Sequence, residues 1–87
     1  MPLGETLRAL ADKNRRKVLE ILKRGDLSVG EILLQLNITG ASLSHHLNVL
    51  RQADLVSSRR EGQQIIYSLN LSVFEEVIND LSNFLSK

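Results

Sequence analysis

Residues 28–52, SVGEILLQLNITGASLSHHLNVLRQ, carry the pattern of two helices separated by a short connection. The first helix opens on Ser28-Val-Gly-Glu31, which matches a capping box. In a capping box the serine side chain accepts from the amide three residues on, and the glutamate side chain accepts from the serine amide. Apolar residues then continue to about Leu36, where this helix is expected to end.

The second helix follows after the connection at residues 37–39. Thr39 is its expected N-cap, because a threonine side chain accepts a hydrogen bond from an amide of the first turn. The helix is predicted over about 40–53. A short helix, a three-residue turn and a second helix are the layout of a helix-turn-helix, here over 28–53.

The two histidines of the second helix lie on different faces. Leu43, Leu47 and Leu50 share one side at helical spacing and define the buried face. His46 lies at the edge of that face and is expected to be partly buried, fixing the helix against its neighbours. His45 points away from the face. Two interpretations of His45 remain, a DNA contact or an exposed histidine without a role.

The face around His45 is small and polar, whereas a solvent-exposed helix usually carries Glu and Lys there. Ser, His and Asn side chains can hydrogen-bond to base edges or phosphates in the major groove. The candidates on this helix for such contacts are Ser42, Ser44, His45 and Asn48.

Metal binding and catalysis have little support in the sequence. The chain has no cysteine, which excludes disulfides, thiolate ligands and thiol nucleophiles. His45 and His46 are adjacent and diverge by about 100° on a helix, whereas helical chelating pairs lie three or four residues apart. No glycine-rich phosphate loop or paired-carboxylate motif occurs. The sequence therefore predicts no metal site, no cofactor and no enzyme activity.

Two further helices are predicted ahead of this unit. Apolar residues at helical spacing mark a first helix over 3–11, and Asp12 is the expected N-cap of a second over 13–24. Arg15 and Arg16 open the second helix. Two interpretations of these arginines remain, contact with the flanking DNA backbone or an internal salt bridge.

A β-hairpin is predicted over 56–69, with strands over 56–60 and 63–69 and a two-residue turn at Glu61-Gly62. Its base is apolar, and its tip carries arginine and glutamine side chains. Cationic side chains of this kind neutralise DNA phosphates. The candidates for phosphate contact are Arg51 on the preceding helix and Arg59 and Arg60 at the tip, with Gln63 beside them.

A last helix is predicted over 72–87, starting at a second capping box, Ser72-Val-Phe-Glu75. Its apolar residues cover an arc of about 140°, which is wide for so small a domain. We expect part of this stripe to form a subunit interface with the first helix; the alternative is packing within its own domain alone. The candidate interface residues are Leu3, Leu7, Leu10, Val73, Phe74, Val77, Leu81 and Phe84.

The length of 87 residues predicts one domain over 1–87, mainly α with a small β-hairpin. The net charge is only +1, but residues 13–60 hold nine Lys and Arg against four acidic residues. A basic centre favours a polyanionic partner. No stretch has the pattern of a signal peptide or the length of a membrane span, so the expected location is the cytoplasm without membrane insertion.

Three stretches together resemble the ArsR/SmtB-type winged helix-turn-helix repressors: LADKNRRKVLEILKRGDLSVGEI, LSHHLNVLRQADLV and RREGQQIIYSL. The resemblance spans about 7–70 and is greatest to the SdpR-like branch. The family's Ser-x-His-Leu-x-x-Leu pattern and its Arg-x-Gly wing tip occur here as Ser44, His46, Leu47, Leu50, and Arg60-Glu61-Gly62.

This resemblance implies a winged helix-turn-helix of about five helices with a two-stranded wing over 56–69. It implies a homodimer joined by residues 1–11 and 72–87, and a recognition helix over 40–53 that enters the major groove. It also implies transcriptional repression, often of the repressor's own operon.

Two departures from the family's pattern matter. Metal-sensing members carry cysteines near the start of the third helix or Asp, His and Glu ligands on the last helix. Here the third-helix region reads GDLSVGEI and the last helix has no histidine, so metal sensing is not expected. Asp54 stands where the family usually has glycine, and aspartate tolerates the left-handed backbone conformation better than most residues.

The sequence thus predicts a sequence-specific, dimeric DNA-binding repressor, independent of metal, that reads an inverted repeat with half-sites about 34 Å apart. One alternative is a winged-helix module that binds proteins and not DNA, because a fold does not dictate function. Another is a ligand-gated sensor with a pocket at the dimer interface. The SdpR-like resemblance also suggests a protein partner that relieves repression.

Overall fold

In a computed structural model, which describes residues 3–86, five helices pack around a three-stranded antiparallel sheet. This agrees with the predicted fold class. The elements in chain order are α1 (Leu3–Leu10), α2 (Lys13–Leu22), β1 (Leu27–Ser28), α3 (Val29–Leu33), α4 (Gly40–Gln52), β2 (Val56–Glu61), β3 (Gln64–Leu69) and α5 (Leu71–Leu85).

Three of the predicted N-caps are confirmed. The Asp12 carboxylate accepts from two amides in the first turn of α2, at 2.8 and 3.0 Å. Ser28 Oγ accepts from the Glu31 amide at 3.2 Å, and Glu31 Oε1 accepts from the Ser28 amide at 2.8 Å, which completes the capping box of α3. Thr39 Oγ1 accepts from an amide in the first turn of α4 at 3.1 Å.

Among the first four helices, α1 and α4 end one residue earlier than predicted, whereas α2 and α3 end two and three residues earlier, at Leu22 and Leu33. Beyond these ends the chain continues in tighter turns, in which the amides of Gly25 and Leu36 donate to carbonyls three residues earlier at 3.1 and 3.2 Å. Because such turns keep nearly the same apolar spacing as an α-helix, the sequence pattern does not mark the change.

The capping box predicted at Ser72 is wrong. α5 begins at Leu71, and Asn70 occupies the N-cap position without a side-chain capping bond. Instead, Asn70 Nδ2 donates to the carbonyl of Asp54 at 3.0 Å, and the Ser72 hydroxyl donates to Asn70 Oδ1 at 3.2 Å. Asn70 is thus held by the turn after α4, which fixes the start of α5 one residue earlier.

The sheet has three strands where the sequence predicts two. The order is β1-β3-β2, and Ser28 pairs with Ile66. A two-residue strand leaves no alternation to detect, so β1 follows only from the tertiary structure.

The turn of the hairpin is Gly62-Gln63 and not Glu61-Gly62, because Glu61 pairs with Gln64 across β2 and β3. Gly62 has φ 63°, in the left-handed region that favours glycine. A glycine at the first position of a two-residue turn suits the twist of a hairpin. The turn is therefore one residue later than predicted.

The core lies between α2, α4 and the sheet. Leu43, Leu47 and Leu50 are at most 2% exposed, which confirms the buried face of α4. Leu55 follows α4 into the core after a turn in which Asp54 adopts φ 61°. This is the left-handed conformation expected for Asp54, and it redirects the chain from α4 into the hairpin.

Apolar side chains are left exposed on α1 and α5. Val73 and Val77 anchor α5 in the core, whereas Phe84 is 74% exposed near its other end. Leu7 on α1 is also exposed. Among residues 3–86, no helix is long and apolar enough to cross a membrane.

Candidate nucleic-acid interface

The outer face of α4 presents hydrogen-bonding side chains to solvent. Ser44, His45, Asn48 and Arg51 are exposed, and Ser42 is half-buried. Asn48 Oδ1 accepts from Arg51 Nη2 at 3.5 Å, a weak contact that leaves both side chains available. Because the three leucines of α4 fill the core, this opposite face is free for an outside partner.

His45 borders a groove of about 630 Å³ between α1 and α4. Glu5 and Arg8 line the α1 side, and Val49 and Gln52 line the α4 side together with His45. The His45 ring centroid lies 5.6 Å from that of His46, with the planes tilted by 53°. Arg8 places a cation beside α4 that no sequence pattern indicates, since its position on α1 gives no sign of this groove.

His46 is buried, more fully than the partial burial predicted, and it belongs to a polar network. Arg15 Nη1 lies 3.2 Å from His46 Nδ1, and because a guanidinium only donates, Nδ1 accepts in this arrangement. His46 Nε2 lies 3.8 Å from Asp12 Oδ2. His46 therefore fixes α4 against the junction of α1 and α2.

Arg15 and Arg16 bind the end of α1. Arg15 Nε donates to the carbonyl of Ala9 at 2.7 Å, and Arg16 Nη1 donates to the carbonyl of Leu10 at 2.7 Å. The last carbonyls of a helix lack intrahelical partners and need donors of this kind. The acceptors are thus backbone carbonyls and not the acidic partner of a salt bridge.

The Asp12 carboxylate has an electrostatic role at the same junction. The backbone amide of Arg15 donates to it, which is the main reason why the pKa of Asp12 lies below its ordinary value. The nearby His46 and the amide of Asn14 act in the same direction. The charged form of Asp12 is therefore favoured in the folded protein.

The hairpin tip carries two arginines in different surroundings. Arg60 is exposed, and its side chain makes no hydrogen bond or ion pair with any residue in 3–86. Arg59 forms ion pairs with Asp26 at 2.9 Å and with Glu61 at 2.7 Å. Gln63 lies exposed in the turn. The contact with Asp26 crosses 33 residues of sequence, so no local pattern announces it.

The eight residues predicted to form the subunit interface fall into three groups. Val73 and Val77 are buried in the protomer's own core, Leu7 and Phe84 are exposed, and the other four are half-buried. Ile78 and Leu85, which belong to the same apolar stripe of α5, are 62% and 77% exposed. The exposed part of the stripe is thus displaced toward the end of α5.

No group of three or more His, Cys, Asp or Glu side chains within residues 3–86 is arranged to hold a metal ion.

Comparison with known proteins identifies the class. Residues 12–58 match the family of bacterial regulatory proteins described as the arsR family. The chain is 45% identical over 85 residues to the transcriptional repressor SdpR of Bacillus subtilis, with 98% of this chain and 94% of that protein covered. It is 30% identical over 80 residues to the arsenical resistance operon repressor of Staphylococcus aureus, covering 92% and 77% of the two chains.

The fold matches as well as the sequence. The structure of an ArsR-like transcriptional regulator from Rhodococcus sp. RHA1 superposes with a TM-score of 0.90 at 26% identity, over 97% of this chain and 79% of that one. The chain belongs to the ArsR family of DNA-binding transcriptional regulators.

Proposed function

We propose that this protein is a homodimeric, sequence-specific repressor that binds an inverted-repeat operator. The observation that carries the proposal is the division of α4 into a leucine face in the core and a face of small hydrogen-bonding side chains in solvent. Such a helix fits the major groove, where side chains read base edges. Ser42, Ser44, His45 and Asn48 are the proposed contacts to bases or nearby phosphates.

The proposed wing is the hairpin formed by β2 and β3. Arg60 and Gln63 lie exposed at its tip, and Arg51 lies exposed near the end of α4. In this proposal these side chains and Arg59 contact phosphates, which position the protein without reading sequence. Phosphate neutralisation makes binding strongly dependent on salt.

The proposed dimer joins α1 and α5 of two protomers. Leu7, Ile78, Phe84 and Leu85 support this arrangement, because large apolar side chains at 48–77% exposure on two helices favour burial by a partner. A two-fold axis would present two copies of α4 to the DNA about one helical turn apart, roughly 34 Å, which matches an inverted repeat.

Regulation in this proposal does not use metal. The chain has no thiolate ligand, and its two histidines are neighbours on α4, one of them bound to Arg15. In this proposal the protein acts in the cytoplasm as a DNA-binding protein and not as an enzyme. It represses its own operon and is released from DNA by a protein partner.

The test is a titration of purified protein into a fluorescent duplex from its own upstream region, followed by anisotropy. A scrambled duplex is the control, and each titration is run at two salt concentrations, with EDTA and with zinc. The expected result is salt-sensitive binding that favours the upstream duplex and does not respond to zinc. A reporter fused to the upstream region then shows the sign of regulation.

Other results would change specific parts of the proposal. Zinc-induced release would contradict metal independence. Failure to bind any duplex, even at low salt, would favour the winged-helix module that binds proteins only. Binding to unrelated DNA alone would remove autoregulation from the proposal and leave DNA binding in place.

A further inference from the structure

Arg59 forms a polar cluster with three other side chains, Asp26, Glu61 and Ser68, which we call the Arg59 cluster. Arg59 Nε donates to Glu61 Oε2 at 2.7 Å, and Arg59 Nη1 donates to Asp26 Oδ2 at 2.9 Å and to Ser68 Oγ at 3.1 Å. The side chains of Arg59 and Asp26 are 48% and 45% exposed. One guanidinium is thus shared by two carboxylates at the protein surface.

The contacts within the cluster shift the pKa values of Asp26 and Arg59 in the directions expected for an ion pair. The hydrogen bond from Arg59 is the main cause that lowers the pKa of Asp26, and hydrogen bonds to Glu61 and Asp26 raise the pKa of Arg59. The charged forms of Asp26 and Arg59 are therefore favoured in the folded protein. The cluster sets two carboxylates against one guanidinium.

Arg60, the next residue, has a different environment. Arg59 pairs with Ile66 and Arg60 pairs with Ile65, so the two arginines point to opposite faces of the hairpin. Arg60 has no carboxylate partner among residues 3–86. To contact a phosphate, Arg59 therefore has to give up its ion pairs with carboxylates, whereas Arg60 has none to give up.

This difference between the two arginines affects the net number of ions that DNA binding releases. When Arg60 contacts a phosphate, its guanidinium replaces a cation condensed on the DNA, which is released to solution together with water. A phosphate that takes Arg59 also leaves Asp26 and Glu61 without their partner, close to a polyanion. These carboxylates then repel the DNA or take up cations from solution, which reduces the net release of ions.

We propose that Asp26 competes with DNA phosphate for Arg59, and so limits the strength of the wing's contact with DNA. Asp26 lies between α2 and β1, outside both α4 and the hairpin. A residue outside the DNA-contacting elements thereby sets the affinity for DNA. This inference rests on the proposed function, and it assigns Asp26 a role in tuning affinity through Arg59, without contact with DNA.

The test is a double-mutant cycle with Asp26→Asn, Arg59→Ala and the combined variant. Binding to a fluorescent duplex of arbitrary sequence is measured over a range of salt concentrations, because the exchange does not depend on sequence. Asp26→Asn is expected to tighten binding roughly two- to fivefold, the range of an exposed ion pair. It should also steepen the dependence of log K on log salt by up to about 0.9.

Two comparisons separate competition from a simple change of net charge. In the Arg59→Ala background, Asp26→Asn should have a much smaller effect, because its partner is gone. The matched control is Glu20→Gln, which removes a carboxylate on α2 that is more exposed than Asp26, 64% against 45%, and is ion-paired with Lys23 at 3.2 Å. This control should change affinity little in either background.

Each contrary outcome has a distinct meaning. The inference is overturned if Asp26→Asn tightens binding equally in both backgrounds, or if it weakens binding. In either case, binding of DNA by the wild type still supports the proposed function. No binding of the wild type to any duplex at low salt overturns both. A readout without DNA is an NMR titration of Asp26, whose pKa should rise in Arg59→Ala; an unchanged pKa overturns the inference.

Discussion

Arg15 on α2 and His46 on α4 are joined by a contact of 3.2 Å between Nη1 and Nδ1. The same guanidinium donates to the carbonyls of Ala9 at 2.7 Å and Arg8 at 3.2 Å, at the end of α1. One side chain therefore links the helix proposed to form the dimer with the helix proposed to read DNA.

Replacing Arg15 by alanine should lower the free energy of unfolding by about 1 to 3 kcal/mol, because it leaves partly buried acceptors without donors. Urea denaturation followed by circular dichroism measures the loss. The control is Arg24→Ala, an exposed arginine without a side-chain partner in residues 3–86, which should change stability by less than about 0.5 kcal/mol. Equal losses in the two variants would contradict the structural role of Arg15.

Replacing Asp12 by alanine should cost about 1 kcal/mol at neutral pH, because α2 loses its N-cap. The pKa of Asp12 is lowered in the folded state, so its contribution is complete above the unfolded pKa and is lost as pH falls through the folded pKa. The difference between wild type and variant should therefore shrink below about pH 4. Urea unfolding at several pH values measures this, and a difference that is constant with pH would refute it.

Replacing Asn48 by alanine should reduce the preference for the operator over unrelated DNA by about 1 to 3 kcal/mol, the range of one lost base contact. Competition titrations with the two duplexes measure the preference. Gln52→Ala, at the exposed end of the same helix, is the matched control and should preserve it. If Asn48→Ala weakens binding to both duplexes equally, Asn48 contacts the backbone and not a base.

Replacing Arg60 by alanine should weaken binding to all sequences alike and reduce the slope of log K against log salt by about 0.9 for each lost phosphate contact. Anisotropy titrations over a series of salt concentrations give the slope. Lys17→Ala removes an exposed cation from α2, outside the proposed DNA-contacting elements, and should leave the slope nearly unchanged. Identical slopes for wild type and Arg60→Ala would remove the wing tip from the proposed interface.

Replacing Phe84 by aspartate should shift the protein from dimer to monomer, because it places a charge in the apolar stripe of α5. Sedimentation velocity measures the change, and affinity for the operator should fall with it. Leu34→Asp is the control, since Leu34 is 87% exposed but lies next to α3, away from α1 and α5. A dimer that survives Phe84→Asp would contradict the proposed interface.

The fold follows from the sequence where local chemistry is explicit. Ser28 and Thr39 begin their helices as predicted, and the leucines of α4 fill the core. The sequence fails where a distant partner overrides a local signal. Asn70 bonds to the turn at Asp54 and so replaces the capping box predicted at Ser72.

The candidate site shows the same division. Burial of His46 follows from its position on the helix, because that depends only on its own element. The partners of Arg59 do not, because Asp26 is close in space but 33 residues away in sequence. No periodicity or motif relates two such positions, so the difference between Arg59 and Arg60 required the structure.

The exposed apolar end of α5 has a consequence for dose response. Below the dissociation constant of the proposed dimer, the concentration of dimers varies as the square of the protomer concentration, so halving the protein reduces operator-competent species about fourfold. Occupancy of the operator would then change more steeply with expression level than binding by a monomer allows. Phe84 and Leu85 would thereby set the threshold at which transcription is shut off.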